Sequence, residues 1–323
     1  MCTAITYFTK DHYFGRNLDL EYSYHETVTV TPRNYPFNFR YMGSMNRHFA
    51  MIGMAFVLGD YPLYYDAINE KGLGMAGLNF PTNAHFFDVA EGKENVATFE
   101  FIPWVLSQCE NLVQARELLS KINLTKDSFA PELPASPLHW MIADKTGSIV
   151  VECVKDGLKV YDNPVGVLTN NPTFDLHLFN LNNYMHLSPR QPENTFIPGL
   201  ELDKYSNAMG GMGLPGDNSS MSRFVRAAYF AGNSVSGDSE SESISQFFHT
   251  LTSVEQQRGS VYIGEELETT VYSSCCNLDK GIYYYITYEN RQITAVDMHR
   301  EDLEGDKPVS YELVKGQQIL QQN

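Results

Sequence analysis

Met1-Cys2-Thr3-Ala4-Ile5-Thr6-Tyr7-Phe8, followed shortly by Tyr13-Phe14-Gly15-Arg16-Asn17-Leu18-Asp19, opens the chain and decides how the rest is read. The first run has the β-branched and aromatic content of a strand. A second strand over 13–19 would return an arginine and an aspartate beside the N-terminus. Cys2 has a small side chain, so a methionine aminopeptidase should accept Met1, leaving one residue with both a thiol and a free α-amine. A cysteine nucleophile ordinarily borrows a neighbouring base. An N-terminal cysteine carries its own, since an α-amine titrates at about 7.7–8.0 and a thiol at about 8.5. A cysteine at position 2 is a weak signal alone; the paired strands strengthen it.

Composition bounds the possibilities. With 323 residues and 43% hydrophobic content the chain can bury a large core. No apolar run approaches the roughly 20 residues needed to cross a bilayer. The opening lacks the charged and apolar regions of a signal peptide, so a cytoplasmic location is expected. A net charge of −16 with scattered basic residues argues against nucleic acid, which needs a basic footprint. An anionic substrate would find no long-range attraction here and must be held by local arginines. The cysteines are Cys2, Cys109, Cys153, Cys275 and Cys276. Their odd count and the lack of any C-x-x-C pair argue against disulfides and against a zinc site.

Along the chain, residues 1–80 read as short β segments, including Glu26–Thr31, Phe49–Val57 and Gly72–Asn79. Asn111–Ile122 reads as a helix, with Leu112, Ala115, Leu118 and Leu119 on one face. Leu138–Asp144 and Ser148–Val154 read as a hairpin turning at Lys145-Thr146-Gly147. Thr173–Tyr184, Ser222–Phe230 and Ser241–Val254 read as helices, and Thr269–Cys275, Gly281–Tyr288 and Gln292–Met298 as strands. The Pro-, Gly- and Asn-rich stretch Ser188–Ser220 is a long loop of the kind that serves function or assembly. With β runs at both ends and helices between, the pattern predicts one α+β unit over 1–323.

Several motifs have plainer readings than they suggest. Gly72-Leu73-Gly74-Met75-Ala76-Gly77 satisfies G-x-G-x-x-G, but Pro81 stops any helix opening on it, so a close-packed glycine strand is expected. Cys275-Cys276 sits in a strand and reads as two small core hydrophobes. His139, beside Trp140, reads as a satisfied core histidine. Arg16, Asp19 and Arg223 could each be an ordinary surface charge.

Taken together, five ordered blocks resemble the choloylglycine hydrolases, N-terminal nucleophile enzymes related to penicillin V acylases. These are Met1-Cys2-Thr3-Ala4; Phe14-Gly15-Arg16-Asn17-Leu18-Asp19; Asn69 through Pro81; Val167-Leu168-Thr169-Asn170-Asn171-Pro172-Thr173-Phe174; and Gly213-Leu214-Pro215-Gly216-Asp217 leading to Ser222-Arg223-Phe224. Matches continue to Lys280–Tyr285, so the likeness covers essentially the whole chain.

The resemblance implies a four-layer αββα sandwich with Cys2 as nucleophile and Arg16 polarising its thiol. It makes Asp19 the carboxylate that orients the α-amine and Arg223 a second arginine near the thiol. Asn79, through its backbone N–H, and Asn170, through its side-chain amide, become the oxyanion donors. It further implies a conjugated bile salt as substrate, no metal or cofactor, and a homotetramer in which the 188–220 loop reaches a neighbour. Leu18, Tyr22, Tyr24, Leu58, Tyr65, Phe129 and Leu133 are the loop residues expected to hold the steroid. Penicillin V acylase is the nearest alternative; Asn79 speaks against it, since those enzymes tend to carry tyrosine there. A non-catalytic bile-salt or lipid binder is the alternative of another class.

Overall fold

A computed structural model describes residues 1–323. Its principal strands are β1 (Cys2–Phe8), β2 (His12–Leu20), β3 (Thr27–Thr31), β4 (Met51–Leu58), β5 (Tyr61–Asn69), β6 (Gly74–Asn79), β7 (Leu138–Asp144) and β8 (Gly147–Val154). After these come β9 (Gly157–Asp162), β10 (Val167–Leu168), β11 (Thr269–Asn277), β12 (Ile282–Thr287), β13 (Thr294–Asp297) and β14 (Val309–Glu312). They form a six-stranded sheet in the order β10-β1-β2-β11-β12-β13 and an eight-stranded sheet in the order β9-β8-β7-β6-β5-β4-β3-β14. Every pairing in both sheets is antiparallel.

The main helices are α1 (Phe101–Leu106), α2 (Leu112–Leu119), α3 (Phe174–Asn180), α4 (Ser220–Asn233) and α5 (Glu240–Thr252). Phe224 and Ala227 of α4 and Ile244, Phe247 and Leu251 of α5 join one buried cluster with Ala4, Ile5, Phe14 and Val30 from the two sheets. Phe101, Val105, Leu112, Ala115 and Leu118 of α1 and α2 join a second with Met75, Ile142 and Val151. The chain is thus layered helix, six-stranded sheet, eight-stranded sheet, helix, which is the expected αββα sandwich.

Local chemistry explains the helix boundaries. Asn111 caps α2 by accepting from Gln114 N–H, and Leu112, Ala115, Leu118 and Leu119 form its buried face. The helix ends at Leu119, short of the expected Ile122, because Ile122–Thr125 pairs in parallel with Glu94–Ala97. Ser239 and Glu242 make a reciprocal capping box that starts α5.

Sandwich strands are buried on both faces, so they should read as continuous apolar runs. β2 breaks that rule: His12, Arg16, Asn17 and Asp19 are all buried in it. Gly15 is needed there, since a Cβ would fall 2.0 Å from Ser274 O on β11. The glycine-rich run is strand β6, as expected, and a Cβ on Gly77 would meet Trp140 Nε1 at 3.1 Å. The early strands are not all short: β2 and β5 have nine residues each. Residues 188–220 form an irregular stretch with a single 3-10 turn at Met209–Gly211.

Candidate active site

The site lies where the start of β1 meets β2, the end of β6, the segment after β10 and helix α4. Cys2 pairs with Leu18 across β1 and β2, so its side chain shares a face with Leu18 and Arg16. Arg16 is fully buried, and its Nη2 donates to Cys2 Sγ at 2.6 Å. Its Nη1 donates to Tyr65 O at 3.2 Å and also to Gly77 O. β5 and β6 pair only from Asp66↔Ala76 to Ile68↔Gly74. The guanidinium therefore takes two carbonyls that the parting strands leave free, and this fixes it against the sulfur.

Asn170 joins three of the other expected residues. Its Oδ1 accepts from Cys2 N–H at 2.9 Å and from Arg223 Nη2 at 2.6 Å, while its Nδ2 donates to Asn79 O at 2.7 Å. Arg223, fully buried on α4, also donates through Nη1 to Cys2 O at 2.5 Å and Thr3 Oγ1 at 2.6 Å. It reaches the backbone of Cys2 and not the sulfur. Phe80 N–H bonds to Pro137 O, toward β7. Alternation along the strand then turns the Asn79 N–H the other way, to the side where Asn79 O meets Asn170.

Asp19, expected to orient the α-amine, does not share the sulfur's face with Arg16. β2 runs unbroken through it, so it points to the opposite face from Arg16. Its Oδ1 accepts from Thr270 Oγ1 at 2.6 Å, and its backbone pairs with Met1 through Asp19 N–H to Met1 O and the Met1 ammonium to Asp19 O. Burial pushes the Asp19 carboxyl up; the chain's α-ammonium and Arg223 pull it back.

Of the expected substrate residues, Tyr22 and Tyr24 lie in the β2–β3 loop with hydroxyls 3.0 Å apart. Leu58 ends β4 and is exposed. Phe129 and Leu133 close a loop through Phe129 N–H to Leu133 O, and the Phe129 ring packs on Tyr61 and Phe99. Three expectations need correcting. Leu18, Leu58 and Tyr65 are strand residues and not loop residues, and Leu18 is buried opposite Cys2 because it belongs to the core of β2.

Sequence reading missed two supports, Glu268 and His177, and the bond that a third, His139, makes to the site. Glu268, itself buried, holds the Met1 ammonium through Oε2 at 2.6 Å. His177 Nε2 donates to Asn170 O and His139 Nε2 to Thr169 O, each at 2.9 Å, pinning consecutive carbonyls. Burial pushes His177 down to about 4, so it stays a neutral donor. His139 is the satisfied core histidine expected, with Glu152 on its other nitrogen. Cys275 and Cys276 are buried free thiols within β11. Only the single charged residue amid the Tyr-rich run of β5 could have drawn attention to a further buried group, Asp66.

The two-sheet αββα sandwich with a cysteine at the head of its first strand is the fold of the N-terminal nucleophile hydrolases. The chain belongs to the choloylglycine hydrolase family of linear amide C–N hydrolases, whose pattern it matches over residues 2–311, and it is accordingly an amidase acting on linear amide bonds. It is 54% identical to a bile salt hydrolase/transferase of Lactiplantibacillus plantarum, over 97% of each chain. It is 41% identical to one from Clostridium perfringens over 98% of each. A crystallised mutant of the conjugated bile acid hydrolase of Clostridium perfringens superposes with a TM-score of 0.92, at 40% identity over the whole of both chains. Penicillin V acylase from Agrobacterium tumefaciens shares the fold at 19% identity and a TM-score of 0.77, covering 97% of this chain and 92% of its own.

Proposed function

We propose that the protein hydrolyses the amide bond of glycine- or taurine-conjugated bile salts, with Cys2 as nucleophile after Met1 is removed. The observation that carries this reading is the Arg16 guanidinium 2.6 Å from Cys2 Sγ, with Asn170 bonded to the nitrogen of the same cysteine. While Met1 is attached, that nitrogen is a peptide N–H and accepts no proton. Freed, it is an amine beside its own thiol.

The steps follow from the donors. The α-amine takes the thiol proton, and the thiolate adds to the amide carbonyl carbon. The oxyanion receives the Asn79 N–H and the Asn170 Nδ2 proton left over from Asn79 O. The α-ammonium then protonates the departing nitrogen, the C–N bond breaks, and a thioester remains. Water, giving its proton to the amine, attacks the thioester; the bile acid leaves and the thiol is restored. Arg223 and Asp19 hold the Cys2 backbone and amine in place.

Full-length likeness to proteins named bile salt and conjugated bile acid hydrolases supports the substrate class. Half-buried Tyr65, Phe129 and Leu133, with exposed Tyr22, Tyr24 and Leu58, offer apolar surface for a steroid. Penicillin V acylase remains the alternative within the fold. We further read the chain as one catalytic unit over 1–323 in the cytoplasm, which five unpaired cysteines support. Exposed Phe196, Leu202, Tyr205 and Met212 on the 188–220 loop support a homo-oligomer, read as a tetramer. The deciding assay incubates the protein with glycocholate, taurocholate and penicillin V and quantifies the released amine. Release from penicillin V alone would overturn the bile-salt reading, and release from none would favour a binder.

A further inference from the structure

Asp66, on β5, is fully buried between the two sheets. Its Oδ1 accepts from Tyr272 OH at 2.5 Å, and its Oδ2 accepts from Tyr283 OH at 2.7 Å and Ser274 Oγ at 3.1 Å. Three hydroxyl donors converging on two oxygens satisfy a carboxylate; a carboxylic acid would need an acceptor for its own proton. Burial pushes both phenols well above their ordinary range, so they stay donors. Burial also pushes the Asp66 carboxyl up, and Arg16 and the three hydroxyls pull it back. Ser274 Oγ accepts from Arg16 N–H at 3.2 Å, and the Arg16 guanidinium bonds to the carbonyl of Tyr65, the residue before Asp66. Arg16 and Asp66 are thus opposite charges in one buried layer, linked through Ser274 Oγ, while the guanidinium also bonds to the Cys2 sulfur.

We propose that Asp66 is a positioning residue that shares the Arg16 cation with the Cys2 sulfur and so limits how readily the thiolate forms. A buried cation with no anion is costly. Asp66 lets the site fold while the thiol is still protonated, and in doing so weakens the pull of Arg16 on the sulfur. The inference rests on Cys2 being the nucleophile. The other titratable and charged groups around Asp66 and Arg16 are Tyr65 on β5, Tyr272 and Cys276 on β11, Tyr283 on β12 and Glu26 before β3, with Asp19, the chain's α-amine and Arg223 beyond the six-stranded sheet. All remain in an Asp66 variant, so a comparison with the parent protein isolates one charge.

The test is the rate of iodoacetamide alkylation of Cys2 at pH 6 in Met1-free protein, with the label located by peptide mass spectrometry. Asp66→Asn removes the charge and keeps an acceptor oxygen. Loss of the charge that competes for Arg16 should raise the thiolate population by about tenfold. The weaker nucleophilicity of a more acidic thiol takes back about threefold, so alkylation should quicken about threefold net. Asp66→Glu, which keeps the charge, should react within about twofold of the parent. An Asn variant that reacts no faster than the parent overturns the proposal. If that variant does not fold, Tyr283→Phe decides with the same sign. A buried carboxyl stripped of one donor is more readily protonated and loses its hold on Arg16, so Cys2 should react faster, and an unchanged rate overturns the proposal. Amide hydrolysis that survives complete labelling of Cys2 defeats the nucleophile reading instead.

Discussion

Arg223 Nη2 lies 2.6 Å from Asn170 Oδ1, and this contact decides which way the Asn170 carboxamide points. Cys2 N–H approaches the same oxygen at 2.9 Å, so two donors face it and the amide nitrogen must turn toward Asn79 O. Orientation here is chemistry: only the nitrogen end can donate to an oxyanion. Asn170→Ala should therefore lower kcat on glycocholate by about 10²–10³, as loss of one such donor typically does. KM should change little. Steady-state kinetics checks this, and a drop confined to KM would remove Asn170 from the reaction.

Cys2→Ser should nearly abolish hydrolysis while leaving the fold intact. A hydroxyl is a far poorer nucleophile than a thiol when its only base is an amine. Cys2 is buried, and the added hydroxyl can still bond to Arg16, so thermal melting should move by only a few degrees. Comparable activity in the serine protein would end the nucleophile assignment.

Chains that keep Met1 should be folded and inactive. Met1 docks as one more residue of β1, its ammonium held by Glu268 Oε2 at 2.6 Å and Asp19 O at 2.8 Å. Activity should track the Met1-free fraction measured by intact mass across preparations. Full turnover in a Met1-retaining sample contradicts this.

The α+β element pattern was legible because its signals are local, whereas the four-layer sandwich came from the family likeness. Strand alternation, the Lys145-Thr146-Gly147 turn and the apolar face of α2 are set by neighbours in sequence. Strand β5 was missed, since Pro62 and Asp66 break the pattern of an exposed strand and only the covering sheet explains a buried aspartate. Tyr65 read as a loop residue because β5 was missed, and Leu18, though within the strand read over 13–19, was placed with the substrate loops because only the closed sheets show it to be buried. Glu268 carried no signal, because its partner is 267 positions away. The six site residues were visible through their family likeness, not through spacing. Arg16 and Asp19, three residues apart on an unbroken strand, serve opposite faces of it, as that spacing requires.

Stability should fall as pH drops from about 6.5 toward 4, and His12 should account for a measurable part. Burial pushes His12 down to about 4, below its ordinary 6.5. Between those values the unfolded chain binds a proton that the folded chain refuses, so stability rises with pH across this window. His48 and His177 are lowered by burial in the same sense. The raised carboxyls of Asp19 and Asp66 oppose them, and do so equally in any His12 variant. His12→Gln should flatten the slope by up to about 1.4 kcal/mol per pH unit. Urea denaturation at pH 5 and pH 7 measures this; an unchanged slope would show His12 to be protonated in the fold.

Substrate selectivity should reside in the apolar rim and not in the polar centre. A bile salt has a large hydrocarbon body and a small anionic tail, and a net charge of −16 gives that tail no long-range attraction. Binding must then come mainly from buried hydrocarbon, at about 25 cal/mol per Å². Phe129 is suited to this: its ring is braced by Tyr61 at 5.5 Å and Phe99 at 5.1 Å, and it remains partly exposed. Leu133 sits across the same closed loop, its N–H bonded to Ala130 O. Losing about half the burial of such a side chain costs roughly 1 kcal/mol, so Phe129→Ala and Leu133→Ala should each raise KM for glycocholate about fivefold. Their kcat should hold, the pattern of lost binding common to ground and transition states. Penicillin V, with its smaller acyl group, should be affected less. Steady-state kinetics of both variants on both substrates decides it: an equal loss on each, or a loss confined to kcat, would take these side chains out of the steroid pocket.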